Sequence, residues 1–270
     1  MPYKAELYKA ERRNMEYIKT SKDGHVGIIT MSHAPINVLT FDMLDEMSEA
    51  LAEFGRDNDV WCIVLHSDQK IFAAGVDIKN LQKCDSEGNY ETSSRIQKVF
   101  RELETFPHPV ICAIHGNCMG GGIEMALSCD IRVFDPKVKA AFTECGLGIC
   151  TGAGGSQRLT KLVGTGKAKR LIYTGEMLSA QSAYDLGICE YISEDGMVFE
   201  KAMEVAQLIC TKGPKGVACA KKCIEYAAEH DLVDGLEYEN RSVSDLFKTE
   251  DKQEGIAAFF EKRKPVFKNK

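Results

Sequence analysis

VICAIHGNCMGGGIEMAL, residues 110–127, is the stretch whose reading decides the fold. Val110 to Ile114 is an apolar run of strand length, introduced by Pro109. A glycine-rich turn follows, and residues 123–127 read as a short helix. Three consecutive glycines, Gly120 to Gly122, leave N–H donors and the positive end of the helix dipole unobstructed. Glu124 is the lone charge in this stretch. A carboxylate among apolar neighbours is costly to bury unless it is hydrogen-bonded or put to use. Attraction to the helix dipole is its alternative role.

Working outward, Trp61 to His66 (WCIVLH) is a second run of strand length. Between the two runs, residues 91–105 carry Ile96, Val99, Phe100 and Leu103 at helical spacing and stop before Pro107. Ile131 to Phe134 is a further strand. Strands separated by helices predict α/β layering with crossover connections. Upstream, residues 15–32 place the turn signal Lys22-Asp23-Gly24 between two segments rich in β-formers, which predicts a hairpin. Thr40 can cap a helix over residues 41–55, with Leu44, Met47, Leu51 and Phe54 on one face. Beyond about residue 156, helices are predicted over 157–174, 179–186, 199–211 and 215–228. No fixed-period repeat, low-complexity linker or charge shift marks an independent second domain, so one α/β core with a helical tail is expected.

The remaining composition excludes several classes of protein. No apolar run approaches the ~20 residues of a membrane helix, and Met1 to Glu6 lacks the apolar stretch of a signal peptide. The expectation is a soluble, cytoplasmic chain with no membrane contact. A net charge of -6 opposes general affinity for nucleic acid. Eleven cysteines without any CxxC spacing read as reduced, mostly buried thiols, and the six histidines form no HExxH or other local ligand pair. No metal is implied. Neither GxxxxGK[ST] nor GxSxG occurs. Gly146 to Gly152 is one residue too long for GxGxxG, and the first acid after it is Glu176, so a nicotinamide-binding domain is disfavoured.

A second isolated acid, Glu144, stands in the glycine-dense stretch Phe142 to Gly155, and two such acids suggest paired acid/base chemistry. The segment Ile71 to Ile78 combines small residues that let a ligand approach the backbone. Lys262, Arg263, Lys264, Lys268 and Lys270 form a basic tail, read either as a solvated helix end or as a point of attraction for phosphate.

Together these segments resemble the crotonases, the enoyl-CoA hydratase/isomerase superfamily. The likeness runs over nearly the whole chain in the right order: Pro35 to Leu39, Phe72 to Lys79, His115 to Glu124, Leu147 to Leu159, and Thr249 to Lys264. It implies an α/β fold, a spiral of ββα turns over residues 1–200, with a helical trimerisation region over 201–270. It further implies a homotrimer or hexamer, a coenzyme A thioester as substrate, and no separate cofactor. Residue by residue, the resemblance puts the oxyanion hole on the backbone N–H groups of Val76, where alanine is more usual, and Gly121. Glu124 then falls in the position of the base toward water, and Glu144 in that of the proton donor to the α-carbon. CoA would lie along Ala74, Asp77, Ile78 and Lys79, closed over by Phe259 and Lys262. Thr143 stands where the family has proline, and only the Glu-x-x-Leu-Gly spacing anchors Glu144. The implied activity is hydration of a 2-enoyl-CoA. The alternatives are Δ3,Δ2-enoyl-CoA isomerisation, hydration of cyclic enoyl or dienoyl thioesters, and a non-enzymatic acyl-CoA-binding or RNA-binding member.

Overall fold

The computed structural model describes residues 15–270, so the expectation about Met1 to Glu6 lies outside the described residues. The predicted hairpin is β1 (Ile18–Asp23) paired antiparallel with β2 (Val26–Met31), turning through Gly24 at φ +56. From β2 onward the chain winds in turns that repeat one motif. Each turn lays a strand in a large sheet, a shorter strand in a second layer, and then a helix. The first turn runs β2, β3 (Val38–Leu39) and α1 (Phe41–Arg56); the second runs β4 (Cys62–Ser67), β5 (Gly75–Val76), α2 (Ile78–Leu81) and α3 (Ser86–Glu104). The third runs β6 (Val110–Ile114), β7 (Asn117–Met119) and α4 (Gly121–Ala126); the fourth opens with β8 (Ile131–Phe134) and β9 (Lys139–Ala141).

The large sheet has the order β1-β2-β4-β6-β8 and ends on β11 (Tyr191–Ile192), parallel throughout except for β1. Parallel strands covered on both faces read as continuous apolar runs, which is why WCIVLH and VICAI were legible. In the second layer β3 pairs with β5 and β7 with β9, and the two pairs are joined by a bridge from Ala73 to Cys118. β10 (Leu178–Ser179) completes its edge.

One core lies between the sheet and α1 and α3, built around Phe72, Phe100, Met43, Met47 and Leu103. Burying each such side chain contributes about 2 kcal/mol before entropy is counted. On the opposite face of the sheet, α8 (Val198–Cys210) places Ala202, Val205 and Ala206 on Val64, Ile111 and Val133. This helix spans the 200/201 boundary expected from the sequence and packs on the sheet itself. Buried Glu46 of α1 accepts from the N–H groups of Glu16, Tyr17 and Ile18, which fixes the entry to β1.

Some helix boundaries differ from the expectation. Residues 157–174 form two helices, α5 (Gly155–Val163) and α6 (Thr165–Thr174), because Gly164 between them sits at φ +81. α3 starts before residue 91, since the Asp85 side chain accepts from the Gly88 N–H and caps it. After α7 (Ala180–Asp185), the last third is helical as predicted, through α8, α9 (Pro214–Ala227), α10 (Leu232–Leu246) and α11 (Glu250–Glu261). The basic tail is held in place. Arg263 pairs with Glu254 and Glu261, the Lys268 N–H donates to Asp251, and Asn269 donates to Asn58.

Candidate active site

Both layers of the spiral converge on a cavity of about 350 Å3. β5 and α4 form one wall, α3 a second, and the loop from Thr143 to Ala153 a third. Val76, Gly121, Glu124 and Glu144 all line it.

Gly121 packs closely against Val76. A Cβ on Gly121 would lie 2.7 Å from Val76 Cγ2 and 3.3 Å from the Val76 nitrogen, so only glycine fits there. The Gly121 N–H is the first of α4 and has no acceptor among the described residues. Two peptide nitrogens therefore line one wall close together, where a developing oxyanion would be stabilised.

Glu124 is only 2% exposed. One carboxylate oxygen accepts from the Ala153 N–H at 2.9 Å and the Gly155 N–H at 2.8 Å, while the other has no donor among the described residues. Burial pushes this carboxyl up to about 7; the Gly155 N–H opposes that rise and the charge of Glu144 adds to it. A Cβ on Gly155 would come within 2.8 Å of the same carboxylate, so glycine is required at the start of α5. Glu144 sits on a single 3-10 turn, Glu144–Leu147, and both its oxygens are buried without a partner. Burial raises its pKa as well; its own N–H and that of Thr143 oppose the rise without closing a hydrogen bond. Gly120, at φ +51, brings its Cα close: a Cβ there would be 3.2 Å from Glu144 Oε1. The cavity thus presents two raised carboxyls, one anchored through a single oxygen and one free in both.

Sequence reasoning did not find Arg158. Its guanidinium donates to the Ala153 carbonyl at 3.0 Å and to Glu104 at 2.9 Å, which fixes the turn whose N–H groups hold Glu124. Its charge also draws the Glu124 pKa down. The only signal was its place just after the glycine turn; its partner Glu104 is 54 residues away in sequence.

The predicted CoA residues divide into three groups. Ala74 and Ile78 line the cavity. Asp77 caps α2 by accepting from the Lys79 N–H, and neither Asp77 nor Lys79 is part of the lining. Phe259, 78% exposed, and Lys262, which ends α11 at φ +54, stand outside the cavity because α11 packs against α9 and the tail. A single chain therefore does not bring those two residues to the acids.

A ββα spiral with paired glutamates opposite paired amides defines a class, and the comparisons name it. The sequence profile of the enoyl-CoA hydratase/isomerase family matches residues 21–270, and the chain belongs to that family. Its relatives include a short-chain-enoyl-CoA hydratase of Clostridium acetobutylicum, 35% identical over 92% of this chain and 97% of that protein. A mitochondrial enoyl-CoA hydratase of Pongo abelii is 37% identical over 96% of this chain and 90% of its own length. Among solved structures, an enoyl-CoA hydratase from Bacillus anthracis superposes with a TM-score of 0.90 at 34% identity, covering 94% of this chain and all of that one. The expected α/β spiral with its helical C-terminal region is the fold of this chain.

Proposed function

We propose that this protein is an enoyl-CoA hydratase that adds water across the 2,3 double bond of a 2-enoyl-CoA thioester. The observation that carries the reading is that Glu124, Glu144, Val76 and Gly121 line one cavity. The thioester oxygen accepts from the Val76 and Gly121 N–H groups, which take up charge as the carbonyl becomes enolate-like; one such donor contributes roughly 3 kcal/mol in other enzymes. A water lies between the carboxyls. The unanchored oxygen of Glu124 removes its proton as the hydroxide adds to the β-carbon. Glu144, whose carboxyl burial raises, delivers a proton to the α-carbon. Nothing is oxidised or reduced, so the reaction calls for no redox cofactor, and the two N–H groups and two carboxyls supply the polarisation and proton transfers.

Ala74 and Ile78 stand at the mouth where the coenzyme enters, with Asp77 and Lys79 beside them. Phe259 and Lys262 would close over the nucleotide of a neighbouring copy, in a homotrimer or a pair of trimers. Leu232, Val233, Leu236 and Phe247 of the C-terminal region, each more than half exposed, supply apolar surface for that assembly. No described helix is long and apolar enough to cross a membrane, in keeping with a cytoplasmic enzyme.

Glu124→Gln and Glu144→Gln should each lower hydration of crotonyl-CoA by about a thousandfold while leaving CoA affinity nearly unchanged. Unchanged turnover in both variants would refute the mechanism. A parent that isomerises 3-enoyl-CoA and hydrates nothing would assign it to the isomerases of the same family.

A further inference from the structure

We infer that the site is built for 2-enoyl-CoA thioesters whose acyl chain ends in a neutral hydrogen-bonding group, a hydroxyl or an amide; this rests on the hydratase reading. The reaction cavity does not end at the acids. A second hollow of about 490 Å3 adjoins it, and Asn89, Ser93, Thr151 and Gly152 line both. Beside the acids Leu81, Ile96, Leu147 and Ile149 make the wall mostly apolar, with Thr92 and Thr143 among them. In the annex it changes character to Ser86, Tyr90, Gln97, Ser156 and Gln157. No Asp, Glu, Lys or Arg lines the annex.

The two hollows meet at Gly152, where a Cβ would lie 3.1 Å from Ser93 Oγ and crowd the junction. Gln97 holds this turn by donating to the Gly152 carbonyl at 2.7 Å. The Ser93 hydroxyl and the Asn89 amide line the junction and have no protein partner among the described residues. The Ala153 N–H, one residue further, anchors Glu124, so an acyl chain leaving the reacting carbons past that acid meets Gly152 and Ser93 next.

The annex is open to solvent, with Ser86, Asn89, Tyr90, Gln97 and Gln157 exposed; an alkyl tail lying along it covers polar groups and returns no hydrogen bond, whereas a terminal hydroxyl bonds to them. An ionised tail finds no opposite charge in the lining. The Arg158 guanidinium near Gly154 is already committed to Glu104 and Ala153.

The test compares kcat/KM for crotonyl-CoA, 2-hexenoyl-CoA and ω-hydroxy-2-hexenoyl-CoA in the parent, Ser93→Val and Asn89→Leu. The hydroxylated thioester should exceed its alkyl counterpart by about threefold or more in the parent, and either substitution should abolish or invert that ratio. Equal rates for the two hexenoyl thioesters, or preference for the alkyl one, overturn the inference while crotonyl-CoA turnover keeps the hydratase reading intact. A ratio that survives both substitutions also overturns it. Hydration of none of the three overturns both.

Discussion

Glu124→Gln should make the protein more stable while disabling it, and the gain should depend on pH. The Glu124 carboxyl is raised from 4.5 to about 7 by burial. At about 1.4 kcal/mol per unit, the folded state holds the ionised form at a cost of about 3 kcal/mol. Because the folded value lies above the unfolded one, the folded chain binds the extra proton between them. The penalty is absent below about 4.5, grows as pH rises and is complete above about 7. Glutamine keeps a carbonyl oxygen for the Ala153 and Gly155 N–H groups and removes the charge facing Glu144. Urea unfolding at fixed chain concentration should therefore find the variant more stable by about 3 kcal/mol near pH 8.5 and by less than about 1 kcal/mol near pH 5. A stability difference independent of pH, or a variant less stable at both values, would refute the burial argument and the base assignment built on it.

Four further outcomes follow from the same geometry. The parent's kcat/KM should rise with pH through about 7 as Glu124 ionises, in a titration that belongs to the coupled pair; activity independent of pH between about 5 and 8.5 would refute the base assignment. Arg158→Met should move the acid limb upward by roughly half a unit to one unit, since a cation that favours the Glu124 carboxylate is gone; lower activity with the limb unmoved would leave Arg158 a purely structural part. Gly155→Ala, whose Cβ would press on Glu124 at 2.8 Å, should cut kcat about a hundredfold while the protein still binds CoA on a sensor chip. Glu46→Ala strands three N–H groups at the entry to β1 and should cost about 2–4 kcal/mol in a denaturant titration, with crotonyl-CoA hydration by the folded fraction unchanged.

What the sequence revealed follows from what each element needs. Strands buried on both faces must be apolar end to end, so WCIVLH and VICAI were plain. The strands of the second layer, two or three residues each, are too short to show a period, and β3, β5, β7, β9 and β10 went unseen. Gly164 carries a moderate helix penalty in a sequence, yet its left-handed backbone ends α5 outright. The acids stood out because isolated charge in apolar, glycine-rich segments needs a reason. Their supports did not. Arg158 works through Glu104 on α3, and the need for glycine at 152 comes from Ser93, 59 positions earlier, which a side chain there would crowd. Phe259 and Lys262 matched a family position by sequence, but a position does not say which copy of the chain the side chain serves.

A crystal structure of the protein with butyryl-CoA, a saturated thioester that cannot be hydrated, tests the central claim most directly. The thioester oxygen should lie about 3 Å from both the Val76 and Gly121 nitrogens, with one water in hydrogen-bond reach of Glu124 and Glu144 together. A carbonyl turned away from those nitrogens, or carboxylates bound to separate waters, would contradict it.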